Sequence, residues 1–194
     1  PGEICTWDDM GFFDPSQYMI MHALIYRTEV LRKSGLKLPK HTFYVDNIVA
    51  YQPLPYAEKL CYLDLDLYHY FIGREGQSVN ESVMMKRIDQ QLKVTKIIMD
   101  CVDLSTVKSR KLGRYLERFL SIMLAVSSIH LLMIGDSLAM KKRRAMWRYL
   151  EQKDPALYRR MRLSVGGFTY LPSKLGNRLS LAGYRLAKKV VKFQ

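Results

Sequence analysis

Apolar and polar residues alternate irregularly over the first 80 positions and settle into a helical rhythm after them. In the front part, Met21, Leu24, Ile25, Val30 and Leu31 recur at helical spacing, which predicts a helix over 17–34 closed by Gly35. Thr42–Tyr51 is rich in β-branched and aromatic residues and predicts a strand, or a strand and turn. Pro53 and Pro55 break regular structure. Lys59–Leu63 and Leu67–Ile72 then predict short strands, interrupted by Asp64 and Asp66.

From Asn80 the period is 3.6. Asn80 is placed to cap a helix reaching Val102, with Val83, Met84, Ile88, Leu92, Thr95 and Met99 on one stripe. Ser105 or Thr106 is expected to start a second helix that Gly135 ends, and Asp136 or Ser137 a third reaching Gln152. Asp154-Pro155 opens a short fourth, with Pro at the first helical position. A connection containing Gly166, Gly167, Pro172 and Gly176 leads to a last basic helix near Leu179–Lys192. These patterns predict an α+β fold: residues 1–79 with a few short strands, and residues 80–194 as a basic helical domain.

Two stretches admit a membrane reading. Phe119–Ile134 is sixteen residues without a charge, shorter than the roughly 20 apolar residues of a span. It also contains Ser121, Ser127, Ser128 and His130, so it reads better as the central helix of a small bundle. The last helix sets Leu179, Leu181, Leu186, Val190, Val191 and Phe193 beside Arg178, Arg185, Lys188, Lys189 and Lys192. That is the composition of an interfacial helix on anionic lipid, or of a helix packed on the bundle with its cations in water.

Charge sharpens the division near Asn80. The chain carries a net +13, but residues 1–80 hold 7 Lys/Arg against 10 Asp/Glu, and residues 81–194 hold 24 against 8. A basic region attracts polyanions: nucleic acid, an anionic membrane surface or a phosphorylated lipid. The acidic front half and the lack of a recognition-helix motif argue against nucleic acid. With 48% hydrophobic residues the 194-residue chain is long enough to bury a core. Cys5, Cys61 and Cys101 are too widely spaced for a Cys-x-x-Cys metal site or a disulfide framework, which fits a reducing cytoplasm.

The candidate chemistry lies in the front half. Asp46 follows the aromatic run Phe43-Tyr44-Val45. Alone, an Asp there reads as a turn or helix cap; delivered to a cleft, its carboxylate is a candidate general base. Tyr68-His69-Tyr70-Phe71-Ile72 runs into Gly73-Arg74-Glu75-Gly76-Gln77-Ser78. Arg74 offers a forked, permanently charged donor for phosphate oxygens, and the glycines allow close backbone approach. Asp64-Leu65-Asp66 has the spacing of a hard-cation motif for Mg²⁺ or Mn²⁺.

In order, Lys40-His41-Thr42-Phe43-Tyr44-Val45-Asp46-Asn47 and the Tyr68–Ser78 segment resemble the acceptor half of family-two glycosyltransferases with the GT-A fold. So does Met19–Leu31 leading through Leu31-Arg32-Lys33-Ser34-Gly35. The resemblance covers roughly residues 5–80. It implies a C-terminal part of an enzyme of bacterial surface-polysaccharide synthesis, moving sugar from a nucleotide-sugar donor to a hydroxyl of a glycan or lipid-linked acceptor. Asp46 matches the second acid of the family's acidic pair and becomes the general base; Val45 replaces the first. His22 would line the cleft, and Arg74, Gln77 and Ser78 would close over the donor diphosphate. The resemblance further implies a divalent metal, Mg or Mn, held mostly by residues upstream of Pro1, where the nucleotide-binding half would lie. Asp64 and Asp66 stand after the base rather than before it and are set aside as metal ligands. The expected location is the cytoplasm, peripheral at the inner membrane face, with a homodimer covering the edge of a half-sheet. The alternative is a non-catalytic basic helical module that binds a membrane surface, nucleic acid or a protein partner.

Overall fold

The computed structural model describes residues 1–13, 17–69, 71, 77 and 80–190. It is 62% helical with one two-stranded sheet among the described residues, so the α+β expectation holds in its coarse form. The chain divides into two compact units, Pro1–Phe71 with Ile97–Phe119, and Ile72–Lys96 with Leu120–Gln194.

In the first unit, β1 (Ile4–Cys5) pairs antiparallel with β2 (Leu60–Cys61), in the register Ile4 with Cys61 and Cys5 with Leu60. The helix expected over 17–34 is much shorter. A 3₁₀ turn, Met21–Ala23, is followed by extended backbone at Leu24, and α1 spans only Thr28–Lys33. The apolar spacing misled because Met21 and Ile25 are 42% and 82% exposed and form no core stripe. Gly35 does end α1, at φ +63° with its N–H donating to Arg32 O.

The strand expected over Thr42–Tyr51 is replaced by turns and a short helix, α2 (Asp46–Val49). His41 and Tyr44 take left-handed φ values of +51° and +68°, which extended backbone does not allow. Ile48, Tyr51 and Leu54 are buried at a spacing of three, a one-sided helical pattern. Leu60–Cys61 lies within the strand expected at Lys59–Leu63, whereas Leu67, Tyr68 and His69 have no regular structure.

The helix expected from Asn80 to Val102 is two: α3 (Glu81–Lys86) and α4 (Ile88–Cys101), separated at Arg87. Asn80 makes no side-chain cap. Ser105 and Thr106 lie in a 3₁₀ turn capped by Asp103, and α5 (Arg110–Ile134) starts later. Its start is served by Ser109, whose Oγ accepts the Leu112 N–H at 3.3 Å. Gly135, at φ +75°, ends it. The later helices match their cap chemistry. Asp136 accepts the Ala139 N–H at the start of α6 (Ser137–Lys153), and Asp154 accepts the Leu157 N–H at the start of α7 (Pro155–Arg162). Two further helices, α8 (Val165–Phe168) and α9 (Ser173–Val190), take up much of the connection expected around Gly166, Gly167 and Gly176, and α9 begins six residues before the expected Leu179.

Helix α5 is long and apolar enough to cross a membrane, yet 67% of its apolar window is buried in the protein, as in a core helix. Its polar residues support that placement in the helical unit. Ser121 Oγ meets Ser164 Oγ at 2.7 Å and accepts the Gly166 N–H at 2.9 Å. Ser127 Oγ lies 2.9 Å from Thr95 Oγ1, and Ser128 Oγ accepts the Trp147 indole N–H at 3.0 Å. A buried hydroxyl without such a partner costs about 1–3 kcal/mol, so these pairs fix which face of α5 turns inward.

His130 Nδ1 lies 2.7 Å from Val126 O, while its buried Nε2 meets no hydrogen-bond partner among the described residues. Burial holds the imidazole below its ordinary pKa, against the opposing pulls of the Val126 hydrogen bond and Glu81; Lys188 adds to the lowering. The unfolded chain therefore takes up this proton first. Stability is full above about pH 6.5 and falls as pH drops through that value. Thermal melts between pH 7.5 and 5 should show this loss, with a shallower slope in His130→Gln.

Gly167 has no room for a side chain. A Cβ there would lie 1.9 Å from Arg162 O and 2.3 Å from Arg162 C, both backbone atoms. Gly167→Ala is expected to cost about 3 kcal/mol or more by urea unfolding, at the upper end of overpacking effects.

Candidate functional site

The first unit brings together two of the residues singled out by sequence. Asp46 stands at the first position of α2, and His22 in the Met21–Ala23 turn. The elements carrying them are in contact. Tyr68 joins them, its ring centroid 4.6 Å from that of His22. Asp46, His22 and Tyr68 are all exposed to solvent.

This placement follows from anchors on both sides of the His22 turn. Upstream, the Met19 N–H donates to Tyr115 Oη at 2.9 Å, and Arg118 donates to Gln17 O. Downstream, Tyr26 Oη donates to Val49 O at 3.0 Å, tying the segment to the end of α2. Helix α2 is itself fixed by Ile48 and Tyr51, which are 0% and 1% exposed, and Tyr51 packs on Phe119 of α5 at 5.4 Å. A further bond, Gln52 Nε2 to Ser34 O at 2.7 Å, joins the chain after α2 to the end of α1.

The surroundings of Asp46 act on its carboxyl in opposite directions. Desolvation by neighbouring residues raises its pKa and wins; hydrogen bonds from the Asn47 and Asp46 amides and the charge of His22 lower it. The result is a carboxylate more basic than a free one, partly open to solvent and within reach of the His22 charge. Such a group takes a proton from a hydroxyl placed within hydrogen-bond reach. Tyr44 holds its left-handed φ of +68° two residues before Asp46, an uncommon cost for an aromatic residue that aims the start of α2.

A second feature of this unit was missed by sequence reasoning. Lys111, Arg114 and Arg118 share one face of α5 and, with Trp7, Phe12 and Tyr115, border a cavity of about 120 Å³. Lys111 Nζ donates to Asp8 O and Met10 O, both at 2.6 Å, and Arg118 donates to Phe13 O at 2.5 Å. Arg114 is exposed, 5.6 Å from the Phe12 ring. The 3–4 spacing of these cations on α5 was visible in the sequence; their use as clamps on the N-terminal loop was not.

The other expected site residues stand differently. Arg74 and Ser78 lie outside the described residues. Gln77 belongs to the helical unit, half-buried, its carbonyl accepting the Asn80 N–H at 3.0 Å. Among the described residues no group of three or more His, Cys, Asp or Glu could hold a metal ion. Asp64 and Asp66 are exposed, and Asp64 accepts the Tyr62 hydroxyl at 3.3 Å. The resemblance places most ligands of its divalent metal upstream of Pro1, and the chemistry of Asp46 is derived without a metal.

No protein-family model, no curated protein and no solved structure matches this chain.

Proposed function

We propose that this chain is the acceptor half of a glycosyltransferase of the GT-A type and that Asp46 is its general base. The observation that carries the reading is that Asp46 feels the charge of His22, whose ring packs on that of Tyr68. They come from three separate stretches, each resembling a family-two segment, and share one exposed spot of the first unit. The raised pKa of Asp46 supports the same role, because a base must hold the proton it takes.

The step balances on these residues. An acceptor hydroxyl on the glycan or lipid-linked acceptor gives its proton to the Asp46 carboxylate. The oxygen forms a bond to the anomeric carbon of the donor sugar as the bond to the leaving phosphate oxygen breaks, and the nucleoside diphosphate departs with that electron pair. His22, when positively charged, steadies the Asp46 carboxylate before the transfer, and Tyr68 packs against its ring. The resemblance gives the donor diphosphate to Arg74 as its charged partner, with Gln77 and Ser78 as neutral hydrogen-bond donors.

The test is acceptor-dependent release of nucleoside diphosphate by the full-length gene product, across a panel of nucleotide-sugars and hydroxyl acceptors. Release with one donor supports the reading. Absence of release with every donor, from folded protein with divalent metal supplied, counts against it.

A further inference from the structure

Helix α9 has two contrasting faces. One packs on the helical unit. Ser180 Oγ donates to Phe168 O at 2.8 Å, and Tyr184 Oη and Lys188 Nζ donate to Glu81 Oε1 at 2.5 and 2.8 Å. Gly176 lies so close to Leu171 that a Cβ there would stand 2.7 Å from the Leu171 Cβ.

The other face carries Leu175, Leu179, Ala182 and Leu186, at intervals of four, three and four, which places them in one stripe along the helix. The three leucines are 67%, 52% and 64% exposed. Arg178, Arg185 and Lys189, all exposed, run along one edge of this stripe. Along the other edge Phe168 continues it: its ring reaches Gly183, where a Cβ would lie 2.6 Å from Phe168 Cε1, and the residue is 48% exposed. Leu163 and Val165, 91% and 65% exposed, stand just before Phe168 in the chain.

The charge of the segment that forms this face has a single sign. Residues 155–194 contain nine Lys/Arg and no Asp or Glu. A helical protein partner is ordinarily met by flanking charges of both signs that set register. A nucleic acid would satisfy the cations but leave the leucines in water. An anionic lipid surface satisfies both, because the apolar stripe enters the acyl boundary while the cations reach the headgroups.

We propose that α9, extended by Phe168, is a membrane-docking surface that lies flat on an anionic bilayer, with Leu175, Leu179 and Leu186 inserted. The proposal does not rest on the sugar-transfer reading.

The test uses the full chain with vesicles of phosphatidylcholine, with and without 30% phosphatidylglycerol as the anionic lipid, followed by co-sedimentation at low and physiological salt. Binding is expected to the anionic vesicles, weaker at higher salt, with little to the neutral ones. The triple substitution Leu175→Gln, Leu179→Gln, Leu186→Gln should lower the partition coefficient at least tenfold; because these side chains are exposed, the melting temperature should stay within a few degrees. A second variant, Arg178→Gln with Lys189→Gln, should also weaken binding and flatten its salt dependence. No binding to anionic vesicles at low salt overturns the proposal. So does full binding by the leucine variant, which would make the attraction one of charge alone. A concentration-dependent dimer that the leucine variant abolishes, without lipid binding, also overturns it and assigns the face to a second copy of the chain.

Discussion

Asp46→Asn is expected, on the proposed reading, to lower the rate of sugar transfer about 10³-fold, the middle of the range for loss of a general base. Donor affinity should change by no more than about twofold, because the missing interaction is with the acceptor proton and is made in the transition state. Asn keeps the shape of the side chain at the start of α2 and removes only its ability to take a proton. The pH dependence follows from the raised pKa of Asp46. The acid limb of kcat/KM should lie above the pKa of a free aspartate and disappear in the variant. Stability runs the other way. A carboxyl whose folded pKa is raised favours the folded state when protonated, and that contribution is lost as pH rises through the folded pKa. The neutral Asn at this exposed position should therefore melt no lower than wild type at pH 7. An inactive variant of undiminished stability separates chemistry from folding.

The second large effect is on the helical unit. Trp147 is 1% exposed and stacks on Tyr170 at 4.7 Å with the rings 8° from parallel, while Tyr158 meets it edge-on at 6.1 Å. The guanidinium groups of Arg143 and Arg162 lie 4.9 and 5.1 Å from the same Tyr170 ring. Arg143 is buried, donates to Asn177 Oδ1 at 3.0 Å and to Thr169 O, and its pKa is pushed down to about 10 by that burial. Trp147→Ala would open a cavity beside this stack and leave Ser128 Oγ without its indole donor. The expected loss is about 3–5 kcal/mol of folding free energy, read by urea unfolding with circular dichroism. Trp147→Phe fills most of the space and should cost less. A loss below about 1 kcal/mol for the Ala variant would mean that this stack is not part of the core.

Helices α6 and α7 were legible because their ends are written in local chemistry, whereas α8 and the first turns of α9 were not, since Gly166, Gly167, Pro172 and Gly176 read as a connection. Asp136 and Asp154 each sit three residues before the N–H they cap, and Pro155 follows Asp154 at the first helical position. The start of α5 was not legible, since Ser105, Thr106 and Ser109 are all capping residues within five positions. The one used, Ser109, also donates to Asp8 Oδ1 at 2.6 Å, a contact 101 residues away that no local pattern contains.

The front half was harder for the same reason. Nothing in the composition of Thr42–Tyr51 announces the left-handed Tyr44, and β-branched and aromatic residues fill a buried 3₁₀ or α turn as readily as a strand. Asp46 and His22 were named from the sequence, but the bonds that set their elements together were not. Tyr26 to Val49 and Met19 to Tyr115 join residues 23 and 96 positions apart. On α9, the spacing of Leu175, Leu179 and Leu186 is in the sequence, but only the structure turns that stripe to solvent.

Whether Asp46 takes the acceptor proton is read by single-turnover transfer. Full-length wild type and Asp46→Asn would each be loaded with saturating nucleotide-sugar, mixed with acceptor and followed by quenched product. Wild type should transfer fast, and the variant about a thousandfold more slowly with donor still bound. Equal transfer rates in the two proteins would contradict that role and remove Asp46 from the chemistry.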